Sequence, residues 1–561
     1  MPRTTPWLFI ATAFSIASFA SGADFFVAPN GLDGNAGTRS SPRTLAWANN
    51  ELQPGDVAVL LDGTYAEMPI APARSGHIRN AITYRAANRH KALFQEGVGP
   101  AAVIVSGRSH ITIDGIKVVD VKRWVVGVKC DHITITNSHF DGGSGWINCR
   151  FEEIGDGICV TNNYFNEGTD LVSLDGGNGH LVEGNFFGDA THTGLVLLGV
   201  QRSIVRGNRL SNRRWRCMEV ESQRHEPFRI SEFNLIEKNS FDYSPCSAIQ
   251  YAGNRSIIRQ NTIRRCMQGM NWSNYLGSNK PPKKRSPEAW HNESNRFYNN
   301  LIAECGANDV VLNLIAEAES QGILVAERVA KTGHAMGFAT NMFNPKLPDY
   351  QDCAYGDNVV VNNIFYRNQN STEYADAKGK TASKSAQIVF DWNATPEFSR
   401  IRYNVISSGQ ANDAEVFYFL DAAEQKPPEP RNRSIASFQQ RYPQWAEHNI
   451  DIDPQFNDSE QGDFHLSSSS LCIDAGGPLT ETVSAGKGTV VQVVDALYFT
   501  DGHGRTEPDT IRLGSERVKI VRIDYATNEL WLDSNLSWKT GAPVSMDYAG
   551  TAPDLGPFEF R

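Results

Sequence analysis

Glu219 and Glu221 stand two residues apart in a stretch that reads as a β-strand, so both side chains leave the same face and point to solvent together. Two outward carboxylates at that spacing can hold Ca²⁺ through oxygen ligands, and the ion can bridge to an acidic substrate. Around the pair the local charge inverts. Residues 201–230 hold eight arginines against three acids, whereas the whole chain carries a net charge of -10. Such a patch attracts an anion. Arg213, Arg214 and Arg216 are candidates to bind a substrate carboxylate, which a guanidinium grips with paired hydrogen bonds. Arg224, His225, His192 and Tyr251 are the candidate acid and base. This set suits β-elimination on a uronate-containing polysaccharide. The proton α to the sugar carboxylate is weakly acidic, so the carboxylate must be neutralised, the proton removed and the leaving oxygen protonated.

Groups this far apart in sequence need a repeating scaffold to meet, and the repeat is an asparagine. Asn163, Asn185, Asn208, Asn239 and Asn261 each follow a short β-rich run, with successive spacings of 22, 23, 31 and 22 residues. Asn137, Asn300, Asn363 and Asn404 fit the same slot. Strands of four to six residues with no helices between them exclude βαβ units, and the lack of tight Asn-Gly hairpins argues against an up-and-down sandwich. A coil of about 22 residues closing on itself predicts an all-β protein, a right-handed parallel β-helix whose rungs stack at the strand spacing. Stacked amides would then bond rung to rung. Counting from each Asn puts Val172, Leu195, Met218 and Ala248 in one inward column, Tyr251 one rung above Glu221, and Trp272 one rung further as sugar platform or core.

The repeats resemble the pectate-lyase-like superfamily of parallel β-helix proteins over residues 24–475. The segments Phe438–Trp445, Asp453–Phe456, Gly462–Leu466, Ile473–Gly476 and Asp554–Glu559 resemble the C-terminal trailer of many secreted β-helix carbohydrate-active proteins. Within the superfamily, Glu219-x-Glu221 followed by Arg224 is similar to the arrangement in chondroitinase-B-like and alginate lyases. Arg224 stands where that pattern has Lys, and Tyr251 where it has a second basic residue. The resemblance implies a polysaccharide lyase with a possible Ca²⁺ at Glu219 and Glu221. A glycoside hydrolase built on Asp175, Glu219 and Glu221 is the alternative within enzymes, and a non-catalytic glycan-binding protein the alternative outside them.

Residues 1–23 read as a signal peptide: Arg3, an apolar run from Trp7 to Ala20, then Ser21-Gly22-Ala23. The run is shorter than the ~20 residues that span a bilayer, so the expectation is a secreted or periplasmic protein, monomeric by default, with no membrane span. The acidic balance argues against a nucleic-acid partner. Residues 476–561 form the trailer, and within it 486–547 alternate apolar and polar as a small inserted antiparallel β-unit. Loop insertions near 274–294 and 314–356 are long enough to wall a cleft. Cys266 and Cys305 each follow a ladder Asn by five residues, within disulfide reach or as a free stacked pair.

Overall fold

The structure, a computed structural model, describes residues 22–223, 229–273, 292–325, 333–339, 355–369, 387–391, 399–407 and 432–560, with the strand pieces 374–375, 381–382 and 417–419. It is a parallel β-helix, as the repeat requires. Among the described residues, fourteen strands from Asp24–Val27 to Ala446–Glu447 stack into one parallel sheet, the first face. A second and a third face run beside it and merge where Ser240–Tyr251 and Thr262–Ser273 cross both.

Alternation decides which side chains enter the coil. On the first face Val182, Val205, Ile236, Ile258, Phe297, Val360 and Ile401 lie in register and are buried. On the second, Phe140, Phe165 and Phe187 stack at 5.0 and 5.3 Å. On the third, Cys149, Val172, Leu195, Met218, Ile249 and Met270 follow one another. β-branched and aromatic residues fill such pleated, enclosed surfaces.

The asparagine ladder forms at the turn between the first and second faces. From Asn163 through Asn185, Asn208, Asn239, Asn261, Asn300, Asn363 and Asn404 to Asn449, each amide nitrogen donates to the next side-chain oxygen at 2.8–3.1 Å. Asn449 was not in the sequence-derived set, and Asn137 does not join. Ser138 takes the slot below Asn163, and Asn137 instead donates to Asp114. The residue before each ladder Asn turns the chain through a left-handed conformation, which Gly184 and Gly207 enter without a Cβ penalty. We predict that Asn239→Ala lowers stability by roughly 2–3 kcal/mol, read by urea denaturation. It strands the Asn208 backbone N–H in the interior, takes one of two acceptors from the Asn208 amide, which keeps Val182, and removes a donor from the Val205 carbonyl.

Both ends of the coil are covered. The helix Leu45–Glu51, capped by the Thr44 hydroxyl, buries Leu45 and Ala48 against the first rungs. At the other end Ile435–Arg441 buries Phe438, and Gln439 accepts from the last ladder amide. Such caps close strand edges that would otherwise pair with another chain.

After the coil, the chain returns along its outside. A hairpin of Phe456–Asp458 and Asp463–Leu466, with Cys472 and Leu555, packs on Leu301, Ile364 and Val405 of the second face. A six-stranded antiparallel sheet, Thr480–Glu481 to Pro543–Met546, packs on Ile204, Leu235, Ile257, Tyr298, Val359 and Val361 of the first. Arg259 joins that sheet to the coil: it donates twice to Asp509 at 2.7 Å and once to Glu237 at 2.8 Å, all three buried.

In the trailer, Glu559 accepts from the backbone of Asp554 and Ala549. Burial, then the neighbouring Asp554 charge, raise its carboxyl to about 7. The folded chain therefore holds a proton there that the unfolded chain has released. That contribution is full below the ordinary carboxylate range and disappears as pH rises through about 7. We predict that the gain in amide protection of residues 549–560 on acidification from pH 8 to 5, after the intrinsic pH dependence of exchange is divided out, is lost in Glu559→Gln. The partly exposed site limits the effect to about 1–2 kcal/mol.

Candidate active site

The trailer and the inserted sheet cover two faces, and the turn leading into the third face is open at Trp146 and His192. That turn carries Trp146, Asp170, His192 and Arg214–Arg216 on successive rungs. Asp170 Oδ1 sits 2.7 Å from His192 Nδ1 and also accepts the Thr193 backbone N–H at 3.1 Å. Asp170 is buried, whereas the His192 side chain is 34% exposed. The carboxylate thus fixes the ring through Nδ1 and leaves Nε2 without a hydrogen-bond partner among the described residues. The indole of Trp146, 67% exposed, lies 5.7 Å from the His192 ring. A large aromatic left in water beside an oriented imidazole offers a flat apolar face to a ligand.

The network continues into the third face. The Thr193 hydroxyl lies 3.2 Å from His192 Nδ1 and 3.3 Å from Glu219 Oε2, and Arg216 Nη1 donates to the same oxygen at 2.7 Å. Glu219 and Glu221 point away from the coil interior, as alternation requires, but they are not solvent-facing: their exposures are 1% and 2%. Arg216 folds back over its own strand and covers Glu219. Glu219 Oε2, already held by a guanidinium and a hydroxyl, does not fit a bridging Ca²⁺. Asp175, the third member of the hydrolase cluster, is likewise buried and accepts from Gln223 at 2.8 Å.

Two other expected site residues belong to the core. Tyr251 pairs with Val220 rather than lying above Glu221, and Trp272 stacks on it in the next rung. Both are fully buried, with ring centroids 5.8 Å apart. The residues added in this rung all fall in the turn after Glu221. The 31-residue offset between Asn208 and Asn239 therefore holds across the third face and sets Met218 against Ile249, not Ala248. Burial raises the Tyr251 hydroxyl far above its ordinary range, so it is not a base at neutral pH. Arg224 and His225 lie outside the described residues.

The arginines divide by partner. Arg206 pairs with Glu183, and Arg213 grips the buried Asp189 through two nitrogens, which raises its pKa. Arg229 reaches Asn178 and Arg202 lies over the Phe233 ring. Much of the local positive excess is thus spent on neighbouring rungs. Arg214 makes no ion pair among the described residues, and its buried Nε meets no acceptor. It lies two residues before Arg216, which pairs with Thr193, and so on the rung after His192. Cys266 and Cys305 are buried free thiols, donating to the Arg264 and Ala303 carbonyls, and form no disulfide.

Residues 101–266 match the model of the right handed beta helix region family. The coil expected from the repeat is thus found by both routes. A stretch of 138 residues is 29% identical to the uncharacterized protein YwoF of Bacillus subtilis (strain 168), covering 22% of this chain and 29% of YwoF. Among solved structures, the chain is similar to pectate lyase Pel9A at 13% identity, over 97% of this chain and 98% of that one, TM-score 0.32. It is also similar to a PL6 family polysaccharide lyase from Pseudopedobacter saltans at 11% identity, over 66% and 92%, TM-score 0.38. A third is XylC in complex with xylose, at 10% identity over 93% and 99%, TM-score 0.40.

Proposed function

We propose that this chain is an exported polysaccharide lyase that cleaves a uronate-containing polymer by β-elimination. The observation that carries this reading is the His192–Asp170 pair opening beside exposed Trp146. In the proposed step a uronate ring stacks on Trp146. Arg214 neutralises its carboxylate, which acidifies the α C–H. His192 Nε2 takes that proton while Asp170 holds the proton on Nδ1 and stabilises the imidazolium. The C–H electron pair forms the new double bond, the bond to the leaving glycosidic oxygen breaks, and that oxygen is protonated from the imidazolium or from water. Arg216 and Glu219 keep Thr193 and hence the ring in place. Among the described residues no helix is long and apolar enough to cross a membrane. Export rests on the signal-like residues 1–23.

A panel of alginate, pectate, chondroitin and heparan tests the proposal by the ultraviolet absorbance of the unsaturated product, which elimination creates and hydrolysis does not. Reducing ends released without that absorbance would make the protein a hydrolase. Tight binding without cleavage would make it a binding protein.

A further inference from the structure

A second group of chemistry-bearing side chains lies on a different edge of the coil, at the turn from the third face into the first. His110 and His132 occupy equivalent places on consecutive rungs, because Ser109 pairs with Asp131 and Ile111 with Ile133. Both have left-handed backbone, with φ of 54° and 50°. Their rings stack with centroids 4.5 Å apart and planes 26° from parallel. Asp131 places Oδ1 2.8 Å from His132 Nδ1, and their side chains are 43% and 38% exposed. One donor atom from each of His110, Asp131 and His132 lies within 4.8 Å of the other two. The cationic neighbour from the inserted sheet, Arg505, lies over Gly157, on the rung after His132; a Cβ there would meet the guanidinium at 2.5 Å. The same Cβ would meet His132 Nε2 at 3.2 Å, so Arg505 stands beside the Nε2 edge of His132, and Asp131 lies at its Nδ1 edge.

We propose that His110, Asp131 and His132 bind one divalent transition-metal ion of the Zn²⁺ class. Two imidazole nitrogens and one carboxylate oxygen suit Zn²⁺, Co²⁺, Ni²⁺ or Cu²⁺, whereas Ca²⁺ and Mg²⁺ take oxygen ligands. The ion replaces the proton shared by His132 Nδ1 and Asp131 Oδ1. The 2.8 Å between those atoms is a hydrogen-bond distance, and it opens to about 3.3–3.6 Å when both atoms take places in a tetrahedral shell whose ligands sit ~2.0–2.2 Å from the metal. His110 closes the third position from the rung below, and water fills the rest. A site of this form ties two rungs together at a turn and stays open to an exogenous ligand.

The test uses the untagged full-length mature chain, stripped of metal by a chelator. Calorimetry with Zn²⁺ should give one saturable site per chain, Co²⁺ should produce a visible ligand-field band, and a large excess of Ca²⁺ should displace neither. His110→Asn, His132→Asn and Asp131→Asn should each weaken Zn²⁺ binding roughly tenfold or more. Asn tolerates the left-handed backbone of both histidines, which protects the fold. Absence of a saturable site in the wild-type chain, unchanged affinity in a folded variant, or displacement by Ca²⁺ would each overturn the proposal. If a variant does not fold, the wild-type Co²⁺ band and Ca²⁺ competition still decide.

Discussion

Replacing His192 with Gln lowers turnover of the acidic polymer by ~10²–10⁴-fold while the melting temperature stays within a few degrees of wild type, since an oriented acid-base group supplies that much of the rate. His192 is part-exposed and its contacts run through Nδ1, so Gln keeps a polar partner for Asp170 but has no titrating nitrogen. Asp170→Asn should also lower kcat, because the amide no longer fixes the tautomer, and it should alter the pH profile, which a purely structural role would leave unchanged. Trp146→Ala should act mainly on KM, as a platform used alike by substrate and transition state. Steady-state rates and pH profiles for the three variants check the assignment. A His192→Gln enzyme of wild-type rate would move the chemistry elsewhere on the third face.

The largest effect on stability is expected at Arg259. Its guanidinium is 3% exposed and faces Glu237 and Asp509, each 6% exposed. Burial alone would raise the Glu237 carboxyl, but the Arg259 charge and hydrogen bond hold it below its usual value. Arg259→Met leaves two buried carboxylates without their cation, and losing one partner of such a pair costs about 3–5 kcal/mol. Denaturation should show that loss, and limited proteolysis should cut the 480–546 sheet sooner. Arg259→Met combined with Asp509→Leu should cost less than the two single changes together, because one of the two stranded carboxylates is then removed. Additive losses would mean that the pair does not anchor the sheet.

The coil was legible in sequence because a stacked amide demands the same residue at the same turn in rung after rung, so the period survives the extra residues in other turns. The register of the third face was harder to read. A single-residue error in counting past Asn239 turned Tyr251 from an inward to an outward position, since side chains alternate at every residue. Alternation gave the direction of Glu219 and Glu221 correctly and could not show that Arg216, three residues earlier, lies across Glu219. Two site residues were missed although the sequence carried a signal for both. Trp146 is a lone large aromatic in the turn Gly142-Gly143-Ser144-Gly145-Trp146, where no apolar period calls for one. Asp170 lies 22 residues before His192, one ladder spacing, and so one rung beneath it.

The sheet that covers the first face comes from residues 480–546, yet the column it covers, from Ile204 to Val361, is complete more than a hundred residues earlier in the chain. A polypeptide that leaves the ribosome or an export channel N-terminus first must therefore hold this apolar strip in water until its last segment arrives. A stop codon near residue 478 would leave a finished coil with the strip permanently bare. Such a chain should be found in the insoluble fraction with its rungs already wound.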